Sequence, residues 1–260
     1  MLSRETRAPN ILVMYQEIRL GGALRQFADC AWLLKPEPEE AQDVKGVLPD
    51  GRTDFVLIVG KGVQIFGPAQ TVRFVPKDQT FLGIRLRLGA AGALTGVAID
   101  ELLDQSVPLQ AIWGALGREI EERMVTSSRP ERALAVLAKA LTARISNGLT
   151  LDHVILRTAQ QLQNFPNARV RNLADDVGLC ERHLHRRFVR QVGLSVRRLG
   201  RILRFQYLVD ELRESRRRTG AASLDWAGLA QDYGYADQAH LVRESRALAG
   251  VTPAALAKRY

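Results

Sequence analysis

Two stretches of this chain put cations and imidazoles where they could engage nucleic acid: "HLHRRFVRQVGLS" at His183 to Ser195 and "HLVRESRALAGVT" at His240 to Thr252. On a helical wheel Leu184, Phe188 and Gln191 to Val192 share one face, and Arg182 and Arg186 point away from it with His185 at the flank. Arginines turned away from a helix's own core can enter a major groove and offer paired donors to guanine edges. Arg187 and Arg190 then fall nearer the phosphates. In the second stretch the outward positions are Gln238, Ala239 and Arg243, a poorer set, and Asp237 near its start would repel phosphate if it faced the backbone.

Other chemistries find less support. Cys180, His183 and His185 diverge along one helix and offer no fourth ligand, so no metal site is expected. The four histidines are His153, His183, His185 and His240, which leaves the first half without the His-rich set of a metal-dependent barrel enzyme. Gly60-Lys61-Gly62 reads as a hairpin turn rather than a phosphate loop, because no helix N-terminus follows it. Cys30 has no companion cysteines to activate a thiolate and reads as a buried structural residue. No catalytic residue, metal or cofactor is assigned.

The elements that carry the outward residues are written twice. His183, Leu184, Arg186, Gly193, Leu194, Ser195 and Leu199 recur 57 positions later as His240, Leu241, Arg243, Gly250, Val251, Thr252 and Leu256. Upstream, Leu173, Ala174, Asp176, Gly178 and Leu179 return 56 positions later as Leu229, Ala230, Asp232, Gly234 and Tyr235, so one residue is inserted between the glycine and the helix. Such an insertion belongs in a turn. A short helix over Asn172 to Val177, a tight Gly178-Leu179 turn and a helix from Glu181 to Gln191 make a helix-turn-helix. Between the copies, Val196 to about Arg216 predicts a long helix with Leu199, Ile202, Leu203, Tyr207, Leu208 and Leu212 on its apolar stripe. Such a rod, roughly 30 Å long, approaches the ~34 Å between successive major-groove faces of B-DNA.

The rest of the chain is of another kind. From about Trp32 to Leu88 short apolar runs alternate with turn chemistry, most clearly at Leu48-Pro49-Asp50-Gly51. The strand after that turn is apolar on both faces and is expected inside a small barrel or sandwich. Around Ala90 helical spacing takes over, and Ser127 to Glu131 reads as a helix start with Ser128 as cap and Pro130 in the first turn. The fold class is therefore α+β: a β-rich barrel- or sandwich-like domain over 1–105, a helical linking segment over 106–150, and an all-α domain over 151–260. Leu134, Leu137 and Leu141 form a stripe that suits either pairing of two chains or packing between the domains. Charge divides along the same line, because residues 151–260 hold 18 Arg and 1 Lys against 11 Asp and Glu, leaving +1 of the net +9 for the first 150. A basic half with Arg favoured over Lys suits an acidic partner, although a GC-rich genome also raises Arg. Two distant cysteines and the absence of a signal-like start or a membrane-length apolar run point to the cytoplasm and no membrane.

These residues resemble the AraC/XylS family of transcriptional regulators. The resemblance rests on Leu173-Ala174, His183-Leu184-His185-Arg186-Arg187-Phe188, Gly193-Leu194-Ser195, Arg204, Tyr233 to Gln238, His240-Leu241 and Gly250-Val251-Thr252-Pro253, and it spans roughly 153–260. It implies promoter binding by two recognition helices joined by the long helix, with an N-terminal domain that senses or dimerises. Arg182, His185 and Arg186, then Gln238, Ala239 and Arg243, stand at the positions that face the groove. Two residues depart from the family pattern: Cys180 where Ser is the more usual helix cap, and Ser245 where a core Phe is usual. The first 125 residues are similar, less specifically, to the β-rich N-terminal domain of one branch of these regulators, through Leu48 to Gly51, Val107-Pro108-Leu109 and Trp113.

The sequence thus points to a non-enzymatic regulator of transcription that binds double-stranded promoter DNA, with a small-molecule effector on the N-terminal domain and a homodimer left open. Two alternatives stand beside it: an enzyme that modifies DNA or a metabolite and uses the second domain for delivery, and an architectural protein that binds DNA without sequence preference.

Overall fold

The computed structural model describes residues 15–35, 44–76, 78–127, 129–219 and 224–258. Its first part is a β-structure. Strands β1 (Tyr15–Ile18), β2 (Ala28–Leu34), β4 (Asp54–Ile58), β5 (Gly62–Phe66), β7 (Phe81–Leu86) and β8 (Ser106–Pro108) form one sheet in the order β1-β2-β7-β4-β5-β8, and β3 (Val44–Val47) pairs with β6 (Arg73–Pro76) in a separate ribbon. All pairings are antiparallel. The sheet is open, with β1 and β8 at its edges.

Period-two alternation accounts for the two faces of that sheet. Phe55, Leu57, Ile65, Leu82, Ile84 and Leu86 face the main core, while Cys30, Trp32, Leu34, Val56 and Phe81 make a smaller cluster on the other side, against which Val75 of the β6 ribbon packs. Central strand β4 is therefore covered on both faces, as its run of apolar residues predicts. Gly83 is required beneath Trp32, since a Cβ there would lie 2.5 Å from the indole ring. The β texture begins earlier than the sequence suggests, because β1 is an edge strand with no long apolar run.

Helices follow: α1 (Ala91–Thr95), a 3-10 turn at Ile99–Leu102, α2 (Leu109–Val125), α3 (Pro130–Ser146) and α4 (His153–Asn164). Gly114, at φ 57°, breaks α2 into two segments. Pro130 takes the first turn of α3 as expected, with Arg129 at the cap position, whereas Ser128 lies outside the described residues. The 106–150 segment opens with β8 and packs into the first core. Leu134, Leu137 and Leu141 are all buried there among residues of the β-sheet, so that stripe is not a free surface for a second chain.

The last part is all α: α5 (Val170–Asp176), α6 (Glu181–Val192), α7 (Val196–Thr219), α8 (Trp226–Asp232), α9 (Gln238–Ala249) and α10 (Pro253–Ala257). These helices and α4 share one core, in which α7 buries Leu199, Ile202, Leu203, Phe205, Leu208, Val209 and Leu212. That apolar band is wider than the expected stripe because α7 is packed from both sides. No helix is long and apolar enough to cross a membrane among the described residues.

Candidate nucleic-acid interface

Two heads are built on one plan. In the first, α5 ends at a turn where Gly178 takes φ +67° and the Leu179 N–H returns to the Ala174 carbonyl at 3.0 Å, after which α6 begins. In the second, α8 ends where Gly234 takes φ +69° and the Tyr235 N–H returns to the Ala230 carbonyl at 2.8 Å, before α9. Both second helices stop at a left-handed glycine, Gly193 and Gly250. Only glycine reaches that backbone region without steric cost. The extra residue of the second copy sits in the α8–α9 turn.

The buried face of α6 consists of Leu184, Phe188 and Val192. Arg182, His185, Arg186, Arg187 and Arg190 are exposed on the remaining surface of the helix. On α9 the buried residues are Leu241, Leu248 and Ala249 with Glu244 and Ser245, and Gln238, Ala239 and Arg243 are exposed. All eight sequence-selected residues are thus accessible to a ligand, five on one head and three on the other.

One of the eight already has a partner. Arg187 meets Asp152 at 2.7 Å, and the other oxygen of the same carboxylate caps α4 by accepting from the Val154 and Ile155 N–H groups. A phosphate contact by Arg187 therefore competes with an existing ion pair. Asp237 has a different role from the repulsion considered above: it is the N-cap of α9, and its carboxylate accepts the His240 N–H at 2.6 Å. The His240 ring in turn accepts from the Ala236 N–H at 3.2 Å and stands edge-on to Tyr235, so His240 is a packing residue. Cys180 occupies the equivalent cap of α6 and accepts no hydrogen bond there.

The second head is tied to α7 by charge. Arg201 donates two hydrogen bonds to the Glu244 carboxylate, at 2.8 and 2.9 Å, which hold its guanidinium charged even more firmly than usual. Arg204 lies 3.8 Å from the same carboxylate, donates to Asn167 and to the Gly234 carbonyl at 3.1 Å each, and stacks over the Tyr235 ring at 4.5 Å. Burial pushes the Tyr235 phenol up to about 12. Ser245 is fully buried and donates to the Val251 carbonyl at 2.7 Å. Sequence reasoning picks out Arg204 and Ser245 one at a time, but it misses the cluster, because its members come from separate elements with no common spacing.

The β part contributes a cavity of about 90 Å³ whose wall includes Asp50, Arg52, Asp54, Arg73, Arg85 and, from α7, Gln206. Arg85 lies opposite Asp54 in the β4–β7 register, 3.5 Å from its carboxylate and 3.6 Å from that of Asp50. Those acids hold the Arg85 guanidinium well above its usual range against the cost of burial. Trp32 donates to Asp54 at 2.7 Å, while burial raises the Asp54 carboxyl. Gln206 donates to the Pro49 carbonyl at 2.6 Å, joining the cavity to the helical part. Cys30 is buried, its thiol pushed up to about 12, which leaves almost no thiolate to act as a nucleophile. Among the described residues no three His, Cys, Asp or Glu side chains converge as a metal site.

Comparison with known proteins assigns the two parts separately. Residues 173–259 match the model of a helix-turn-helix domain, and residues 16–108 match a domain of unknown function, DUF6597. Among curated proteins none matches the chain. Among solved structures, ToxT from Vibrio cholerae O395 is similar at 9% identity over 90% of this chain and 97% of that one, with a TM-score of 0.43. The same protein bound to (E)-4-(8-methylnaphthalen-1-yl)but-3-enoic acid aligns at 8% identity over 94% and 98% of the two chains, with a TM-score of 0.45. Unsaturated fatty acid bound wild-type ToxT from strain SCE256 aligns at 9% identity over 97% of each chain, with a TM-score of 0.39.

Proposed function

We propose, from the premise that residues 173–259 are a helix-turn-helix domain of the AraC type, that this DNA-binding transcription regulator reads promoter DNA with α6 and α9 together. The observation that carries this reading is the exposed outer face of each recognition helix on a core shared through α7. At 24 residues, α7 is about 36 Å long at 1.5 Å per residue, against the ~34 Å between successive major-groove faces. Arg182 and Arg186 take guanine edges with His185 beside them, and Arg190 and Arg187 take phosphates, Arg187 after exchanging Asp152 for the backbone. Gln238, Ala239 and Arg243 read the second face. The first head, with the richer donor set, supplies most of the sequence preference.

The division between regulatory and DNA-binding parts falls near residue 150. Regulation passes through the N-terminal part, which supplies Pro49 to α7 and so shares a surface with the reading unit. The cavity there, about 90 Å³, is much smaller than the roughly 300–1,000 Å³ of sites for drug-sized ligands. An effector on this site would be a small molecule, and a larger one would need the two parts to separate. Action on promoters places the protein in the cytoplasm, beside the chromosome.

Binding of the purified protein to a genomic fragment library at ~150 mM salt, where weak phosphate attraction is largely suppressed, tests this reading. Recovery of a few fragments that carry two half-elements about one helical turn apart is the expected result. Equal recovery of all fragments would instead identify an architectural protein.

A further inference from the structure

The segment 67–72, which joins β5 to β6, touches the ends of both recognition helices. At α6 the meeting point is Gly193: a Cβ added there would lie 2.7 Å from the Pro68 ring and 2.9 Å from Ile99. At α9 the Val72 N–H donates to the Leu248 carbonyl at 2.7 Å, and Val72 also lies beside Gly250. The last carbonyls of a helix have no partner within it, so this N–H satisfies a group that would otherwise need water.

The segment is itself pinned to the N-terminal part. Asp104 donates its N–H to the Pro68 carbonyl at 2.9 Å and accepts the Gln70 N–H on its carboxylate at 2.7 Å, with a second bond from the Gln70 side chain. Among the described residues Asp104 is the one non-glycine at positive φ, +58°. Backbone held in that region implies surroundings that enforce it. The head that receives the Val72 hydrogen bond is also the head whose helix buries Ser245 in place of an aromatic ring, and so has less apolar surface to fix it on α7.

We infer that segment 67–72 is a strap that positions the two recognition helices relative to each other, with Pro68 and Val72 as its contact points and Asp104 as its anchor. The N-terminal part thereby sets the half-site spacing that the protein accepts. The spacing consequence rests on the DNA-reading proposal above, but the strap itself does not.

The test measures the strap without DNA. Spin labels on the exposed native Cys180 and on Ala247→Cys, in a Cys30→Ala background, report the distance between α6 and α9 in the full chain. The parent should give one narrow distance population. Asp104→Gly, which keeps the positive φ and removes the carboxylate, and Val72→Pro, which removes the N–H, should broaden it or add a second population. Asp104→Asn, which retains an acceptor and tolerates positive φ, should restore the narrow one. An unchanged distribution in strap variants that keep the parent's helical content overturns the proposal. Should Val72→Pro fail to fold, Asp104→Gly and Gln70→Ala decide it. The same variants on the selected DNA, with the half-element spacing lengthened base pair by base pair, should lose the parent's preference for one spacing. Failure of the parent to select any DNA would remove the DNA-reading proposal and leave the distance result standing.

Discussion

Phe188 is fully buried in the first head, and 57 positions later the second head buries Ser245, a hydroxyl bonded to the Val251 carbonyl. The cap of α6 is Cys180, which accepts nothing, while the cap of α9 is Asp237, which does. The outer face of α6 carries four arginines and that of α9 one strong candidate, Arg243. The duplicated units therefore keep a common backbone plan and divide the work: one is held by apolar packing and is rich in donors, the other is held by polar contacts to α7 and to the strap. Duplication preserves the turns, because their glycines are fixed by positive φ, and leaves the means of anchoring free to diverge.

That contrast can be broken at several points. The largest effect is expected from Phe188→Ala, which should destabilise the helical part by about 3–5 kcal/mol through lost burial and cavity formation. Ser245→Ala, at the equivalent place, should cost only about 1–2 kcal/mol, for a carbonyl left without its partner. Chemical denaturation followed by helical signal distinguishes the two, and equal losses would show that the heads are anchored alike.

Glu244→Ala comes next. Removing one partner of a buried pair costs about 3–5 kcal/mol, but Arg201 is 41% exposed and water takes part of that load, so about 2 kcal/mol is expected. Labels on the two heads should register looser α9 placement, whereas Arg187→Ala at the solvent-facing pair with Asp152 should leave both stability and placement nearly unchanged. A Glu244→Ala protein as stable as the parent would mean that packing alone holds α9.

On DNA, Arg186→Ala should weaken specific binding by ~1–3 kcal/mol and relax the base preference at one position of the first half-element. Arg243→Ala should cost less, if the first head dominates. Titration of both variants against selected and scrambled fragments measures the asymmetry, and a larger loss for Arg243→Ala reverses it.

The smallest effects lie at the caps. Asp237→Ala should cost about 1 kcal/mol and Cys180→Ser should add a few tenths to 1 kcal/mol, since Ser supplies the acceptor that α6 lacks. Thermal melts of the two variants should move in opposite directions.

Much of this was legible from local pattern. The spacing of Leu184, Phe188 and Val192 against Arg182 and Arg186 assigned a buried and an exposed side to α6, and Gly178, Gly234, Gly193 and Gly250 marked the turns and helix ends. The unbroken apolar run Phe55 to Val59 marked a strand covered on both faces. Edge strands β1 and β8 were less visible, because four- and three-residue strands have too few alternations to stand out. Asp237 read as a phosphate-repelling charge, although a carboxylate immediately before a helix is also a cap, and that reading would have found its partner.

By itself, then, the sequence determined the α+β division, the two helix-turn-helix units and their outward residues, all of which follow from periodicities of two and 3.6 and from the backbone freedom of glycine. Tertiary structure alone decided that Asp152 engages Arg187, that Arg201 and Arg204 converge on Glu244, and that Pro68 and Val72 reach Gly193 and Leu248. Those contacts join groups separated by 35 and 43 residues, and in the strap by about half the chain or more. Nothing in local spacing encodes them, because which distant surfaces meet is set by how whole elements pack into the two cores.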